Sequence, residues 1–136
     1  MLCTVVYFET GDIYVGKFST ETKRNGKGVN FNIDGTIYVG QWVNDVKCET
    51  GTIYPNSKTY ELDKNGIENR IIYWVLDQSE IKKHKSQVSY LEAEIKQVWE
   101  IQQEKESEII LNQQESYKEE QEWKDGELVK SLKMFI

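Results

Sequence analysis

An internal repeat of 24 residues constrains this chain more than any other feature. Gly11-Asp12-Ile13-Tyr14-Val15-Gly16-Lys17-Phe18 returns as Gly35-Thr36-Ile37-Tyr38-Val39-Gly40-Gln41-Trp42. Gly28-Val29-Asn30-Phe31 then returns as Gly51-Thr52-Ile53-Tyr54 at an offset of 23. One extra residue between Phe18 and Gly26 accounts for the difference. A unit this short is a single supersecondary element, which buries its apolar face only by stacking on neighbours.

Tyr14, Gly16 and Phe18 are spaced by two, as are Tyr38, Gly40 and Trp42, and residues so spaced on a strand share a face. The glycine between two aromatics leaves room for an aromatic of the next unit to cross the strand. Asn25-Gly26 and Asp34-Gly35 supply turns that need positive φ. Each unit therefore reads as a β-hairpin. Successive hairpins add side by side into an elongated single-layer antiparallel sheet. The expected strands cover 4–9, 12–18, 27–33, 37–43 and 51–55, with Pro55 ending the last because it cannot donate to a ladder. Residues 58–62 suggest one more strand, and 69–75 a strand or the start of a helix.

These residues resemble a known family. Tyr-x-Gly-x-aromatic, a turn, then Gly-x-x-aromatic is similar to the MORN repeat (membrane occupation and recognition nexus). The resemblance covers roughly residues 4 to 60. It weakens in the second unit, where Asp45 stands in place of a common glycine and Cys48-Glu49 in place of the usual small turn sequence. Thr4, Tyr7 and Gly11 form a partial unit before the two good ones, and Tyr60 with Asn65-Gly66 a decayed one after them. The resemblance implies a non-catalytic scaffold. Proteins of the family serve in cytoskeletal assemblies, cilia and axonemal radial spokes among them, and others are linked to membranes.

Beyond the repeats the composition changes. Residues 1–76 carry 9 acidic and 8 basic side chains, whereas residues 77–136 carry 14 and 9. From Asp77 or Ser79, either a good N-cap, to Lys124 there is neither proline nor glycine. A helix over 77–124 would run roughly 70 Å at about 1.5 Å per residue. Val88, Leu91, Ile95 and Val98 alternate three- and four-residue spacings, as in a coiled-coil seam. The same register reaches Ile109 and Trp123. Trp99, Ile101, Ile110, Leu111 and Tyr117 lie off it, which asks for more than one neighbour. Asp125-Gly126 reads as the helix stop, and 125–136 as a short amphipathic tail with Leu128, Val129, Leu132, Phe135 and Ile136 near helical spacing. The expected class is thus α+β: a hairpin sheet over 1–76, a long helix over 77–124, and the tail.

Chemistry is hard to find. Gly11-x-x-x-x-Gly16-Lys17 imitates a phosphate-binding loop, but Phe18 replaces the hydroxyl residue and the intervening residues read as strand. His84 is the single histidine, and it has no ligand-spaced partner. Cys3 and Cys48 make no disulfide framework, and a nucleophilic cysteine would lack a placed base. Neither half carries a basic stripe for nucleic acid. The expectation is no catalytic residue, no cofactor and no metal, and the family resemblance implies a cytoplasmic, cytoskeleton-associated protein of the cilium or axoneme. Partner proteins are expected on the sheet at Tyr14, Phe18, Phe31, Tyr38, Trp42 and Tyr54. Others are expected on the helix at Val88, Leu91, Ile95, Val98, Ile109 and Trp123. Two alternatives stay open: a peripheral phosphoinositide or membrane binder using Lys17, Lys23, Arg24 and Lys27, and an accessory subunit of a large enzyme complex.

Overall fold

The structure, a computed structural model, describes residues 3–20, 22–64, 68–108 and 116–136. It is α+β, a seven-stranded antiparallel sheet in simple sequential order with helices on one face. The strands are β1 (Cys3–Tyr7), β2 (Ile13–Phe18), β3 (Arg24–Phe31), β4 (Ile37–Val43) and β5 (Val46–Tyr54), followed after the helices by β6 (Tyr117–Lys124) and β7 (Glu127–Phe135). The repeat aligns across the sheet: Gly16 faces Gly28, Gly28 faces Gly40, and Gly40 faces Gly51. Each glycine makes room for a ring, but the ring comes from its own unit rather than the next. Tyr14 lies over Gly16 and Gly28, and Tyr38 over Gly40 and Gly51. A Cβ at Gly40 would sit 2.6 Å from the Tyr38 ring.

Between β5 and β6 come α1 (Ser57–Lys64), α2 (Glu68–Val75), α3 (Gln78–Lys83) and α4 (Lys85–Glu108). The strand expected at 58–62 is α1, and 69–75 is helical. Asn56 starts α1 by accepting from the Thr59 amide and hydroxyl, both at 2.8 Å. This local capping outweighs the β-propensity of Thr59 and Tyr60. Asp77 caps α3 as expected, in a reciprocal box with Glu80.

The long helix over 77–124 is not formed. It is broken at His84, α4 over the described residues Lys85–Glu108 covers about 36 Å at 1.5 Å per residue, and Tyr117–Lys124 is strand β6. The tail expected as a helix is strand β7, paired with β6. The reason lies at Asp125-Gly126, where φ is +52° and +78°. Two consecutive positive φ values make a tight hairpin turn rather than a helix stop. Asn44-Asp45, at +48° and +70°, makes the same turn between β4 and β5. Trp123 precedes its turn at the same distance as Trp42 does, so β6–β7 is a further hairpin of the array. Its likeness to the earlier hairpins is hidden in the sequence because Glu119 and Gln121 stand where Tyr38 and Gly40 do.

The sheet has two unlike faces. Ile13, Val15, Val29, Phe31, Ile37 and Tyr54 point toward the helices and form one core with Ile71, Ile72, Val75, Leu76, Val88, Leu91, Ile95, Val98 and Trp99. Each such fully buried aliphatic side chain contributes about 1.5–3 kcal/mol. The seam of α4 ends in polar anchors: Gln102 Nε2 donates to the Gly35 carbonyl at 2.8 Å and Lys105 Nζ to the Asn32 carbonyl at 3.0 Å. They hold the β3–β4 turn onto the helix.

Candidate partner-binding surface

The opposite face carries Tyr14, Tyr38 and Trp42, with Val6, Phe8, Phe18, Ile53 and Trp123 packed around them. Parity along the strands builds it, since Tyr14 pairs with Asn30, Asn30 with Tyr38, and Tyr38 with Ile53. Three edge-on ring contacts give the row its rigidity: Tyr14 to Trp42 at 6.0 Å, Trp42 to Tyr38 at 5.6 Å, and Tyr38 to Trp123 at 6.4 Å between centroids. No described helix packs on this face. Burial drives the Tyr14 and Tyr38 hydroxyls well above the ordinary tyrosine range, so both stay neutral. The Tyr14 hydroxyl donates to the Lys17 carbonyl at 2.7 Å.

Two cations are threaded between the rings. Arg24 stacks its guanidinium on Trp42 at 4.2 Å and on Phe8 at 5.1 Å. It also donates to Asp45 and, at 3.0 Å, to Asn30 Oδ1, so its donors are directed within the chain. Burial raises the Asp45 carboxyl, but the Arg24 hydrogen bond and charge prevail and hold it below the usual carboxylate range. Lys47 sits 4.2 Å from the Tyr38 centroid, 4.7 Å from Trp123 and 6.0 Å from Trp42. Its ammonium has rings on three sides. Burial lowers its pKa from the ordinary lysine value, with Arg24 adding to the effect and the charges of Asp12 and Asp34 opposing it.

The residues expected to meet partners therefore separate into three groups. Tyr14, Phe18, Tyr38 and Trp42 share the open face. Phe31 and Tyr54 do not; their parity turns them under the helices, where Phe31 meets Trp99 at 6.1 Å and Tyr54 meets Tyr60 at 5.1 Å. Tyr54 also donates to Asp63 Oδ2 at 2.6 Å. The seam residues Val88, Leu91, Ile95 and Val98 are consumed in the chain's own core and offer nothing to a coiled-coil partner. Ile109 lies outside the described residues. Trp123, expected on the helix, is on β6 and completes the open face. Arg24 and Lys47 were not anticipated in this role. The signal available was their position beside aromatics on alternating strands.

A second depression, of about 610 Å³, opens on the helix side beyond α2, between Trp74, Lys27, Gln41, Thr52, Glu120 and Leu132. Among the described residues no three His, Cys, Asp or Glu side chains converge on a point that could hold a metal ion. No helix of the described chain is long and apolar enough to cross a membrane. No family model matches the chain, and no curated protein is significantly similar to it.

Proposed function

We infer that this protein is a non-catalytic adaptor, a structural subunit of a large cytoskeletal assembly of the ciliary or axonemal kind. It holds a partner protein against the open aromatic face of its sheet. The observation that carries this reading is the asymmetry of the sheet. One face is covered over most of the first five strands by the chain's own helices, while the other keeps Phe8, Phe18, Ile53 and Trp123 only partly buried around a rigid row of rings. Partly exposed aromatics on a rigid support are the usual anchors of protein interfaces. The cytoskeletal setting rests on the MORN-like repeat of Tyr14-x-Gly16-x-Phe18 and Tyr38-x-Gly40-x-Trp42. In this reading the helix does not bridge to further partners through its seam, because that seam is internal.

No observation favours the lipid alternative. Of its four cations, Lys17 pairs with Glu80 at 3.4 Å and Arg24 with Asp45. Affinity purification of the tagged protein from its native cells, followed by mass spectrometry, tests the adaptor reading. Axonemal or other cytoskeletal proteins recovered in stable ratio support it. A metabolic complex in their place moves the chain to the accessory-subunit class, and no stable partner overturns both.

A further inference from the structure

Among the described residues, half-buried lysines have polar partners, with one exception. Lys17 meets Glu80, Lys118 meets Asp63, and Lys105 donates to the Asn32 carbonyl. Lys47 makes no hydrogen bond and no ion pair with any described residue, although Glu49 is two residues away. The rings of Tyr38, Trp42 and Trp123 surround it, and the charges of Asp12 and Asp34 favour its charged form while that of Arg24 opposes it. A charge drawn out of water is costly unless it is paired, and ring faces compensate it only in part. The three N–H donors of the ammonium are therefore open to an acceptor, beside the Tyr38 hydroxyl and the Trp42 and Trp123 indole N–H groups, which are buried without a partner among the described residues.

We propose that Lys47 is the specificity centre of the open face, and that it receives a single carboxylate from an acidic, partly apolar peptide segment of a partner protein. The proposal rests on the adaptor reading and supplies its partner's chemistry. One carboxylate fits because one cation is available. Arg24, the other cation of the row, is already engaged by Asp45, Asn30, Phe8 and Trp42. A phosphate would bring more charge than one ammonium balances. Apolar neighbours of the carboxylate would cover Ile53, Phe18 and Trp123, the partly buried rim of the row. Most of the net charge of −6 lies farther away than the Debye length of about 8–10 Å and is screened, so the ligand's carboxylate competes chiefly with Asp12 and Asp34 for the ammonium. A docked apolar segment would also exclude water from Lys47 and strengthen the ion pair.

The test is a titration of the full chain with a short peptide of alternating glutamate and leucine, read by the fluorescence of Trp42 and Trp123. Oligothymidylate and vesicles containing phosphatidylserine serve as parallel probes. Saturable peptide binding that weakens with added salt is expected. Lys47→Met keeps the aliphatic stem on the rings but removes the charge, and should weaken binding about tenfold or more, the scale of one lost charge-assisted hydrogen bond. Lys47→Arg should restore most of it, and Lys96→Met, on the exposed side of α4, should change nothing. Peptide binding that ignores salt or Lys47 overturns the proposal. So does the absence of peptide binding, or Lys47-dependent binding of the oligonucleotide or the vesicles instead. If Lys47→Met fails to fold, the salt dependence of the unmodified chain decides. The adaptor reading is judged separately, by the proteins recovered from cells, and survives any of these results.

Discussion

Trp123 packs its indole edge-on against the ring of Tyr38, with centroids 6.4 Å apart and planes at 88°, although the two residues belong to hairpins on opposite sides of the helical segment. This contact, with the Lys47 ammonium over the same Trp123 ring, links the first five strands to the last two on the open face. Trp123→Ala should lower stability by about 2 kcal/mol, below the cost for a fully buried tryptophan because its ring is only half covered. Phe135→Ala, at 69% exposure on the outermost strand, should cost less than about 0.5 kcal/mol. Urea unfolding of both variants followed by circular dichroism checks the contrast. Equal shifts would mean that the ring contact contributes little.

The glycine ladder makes a second prediction. Gly51→Ala places a Cβ against the Tyr38 hydroxyl and ring, and the tyrosine cannot retreat from a row of packed rings. The cost should be about 1–3 kcal/mol or more. Gly26 has φ of +106° but faces only the flexible stem of Lys17, so Gly26→Ala should cost about 1 kcal/mol, through backbone strain alone. Thermal unfolding of the two variants would rank them, and the reverse order would contradict the packing described.

Gln102 is 1% exposed and donates to both the Gly35 carbonyl at 2.8 Å and Glu106 at 2.7 Å. Gln102→Leu should destabilise by about 1–3 kcal/mol, because a buried turn carbonyl loses its donor. Amide hydrogen exchange should quicken first in the β3–β4 turn.

The thiols differ by burial. Burial pushes the Cys3 thiol up to about 12, with Lys17 opposing, and Cys48 is also raised but is only half-buried. At neutral pH, iodoacetamide should label Cys48 slowly and Cys3 only after unfolding. Since the folded Cys3 value lies above the ordinary thiol value of 9.0, its contribution to stability is complete below about pH 9 and is lost as pH rises toward 12. Cys3→Ser should flatten that alkaline decline.

Asp45 gives the opposite sign. Its carboxyl is held below the usual range by Arg24 after burial has pushed it up, so its contribution is present above about pH 4 and disappears as pH falls further. Asp45→Asn should remove part of the acid-limb slope in stability. Asparagine suits the test because it tolerates the φ of +70° at this turn. An unchanged acid limb would assign the slope to other carboxylates.

Where the sequence carried a period, the fold could be read from it. β4 falls where 37–43 was expected, and the Asp77 cap is in place, because glycine spacing and capping chemistry are local signals. The helix expected over 77–124 extends too far because glutamate, lysine and glutamine at 117–124 satisfy a helical propensity scale. Those side chains lie on a strand whose pairing is decided by β5 and by the turn at Asp125-Gly126. The open-face site was half legible. Period-two spacing placed Tyr14 with Phe18 and Tyr38 with Trp42, but one residue of parity hid Phe31 and Tyr54 from it. The seam of α4 looked ready for a partner because an amphipathic stripe has the same spacing whether its cover is foreign or its own.

The tie between Ser57 and Glu106 has a kinetic meaning. Glu106 accepts from the Ser57 amide and hydroxyl, both at 2.9 Å, and so brings the far end of α4 back to the residue where the chain left β5. Strand pairings β1 to β5 and β6 with β7 join sequence neighbours and can zip locally. Pairing of β5 with β6 is the exception, since four helices intervene. Loop closure grows costlier by about 0.6 kcal/mol with each doubling of length. Once α4 has docked, the excursion begins and ends at one point, and β6 adds to the sheet nearly as a next-door hairpin. Helix docking is therefore expected to ease the completion of the sheet.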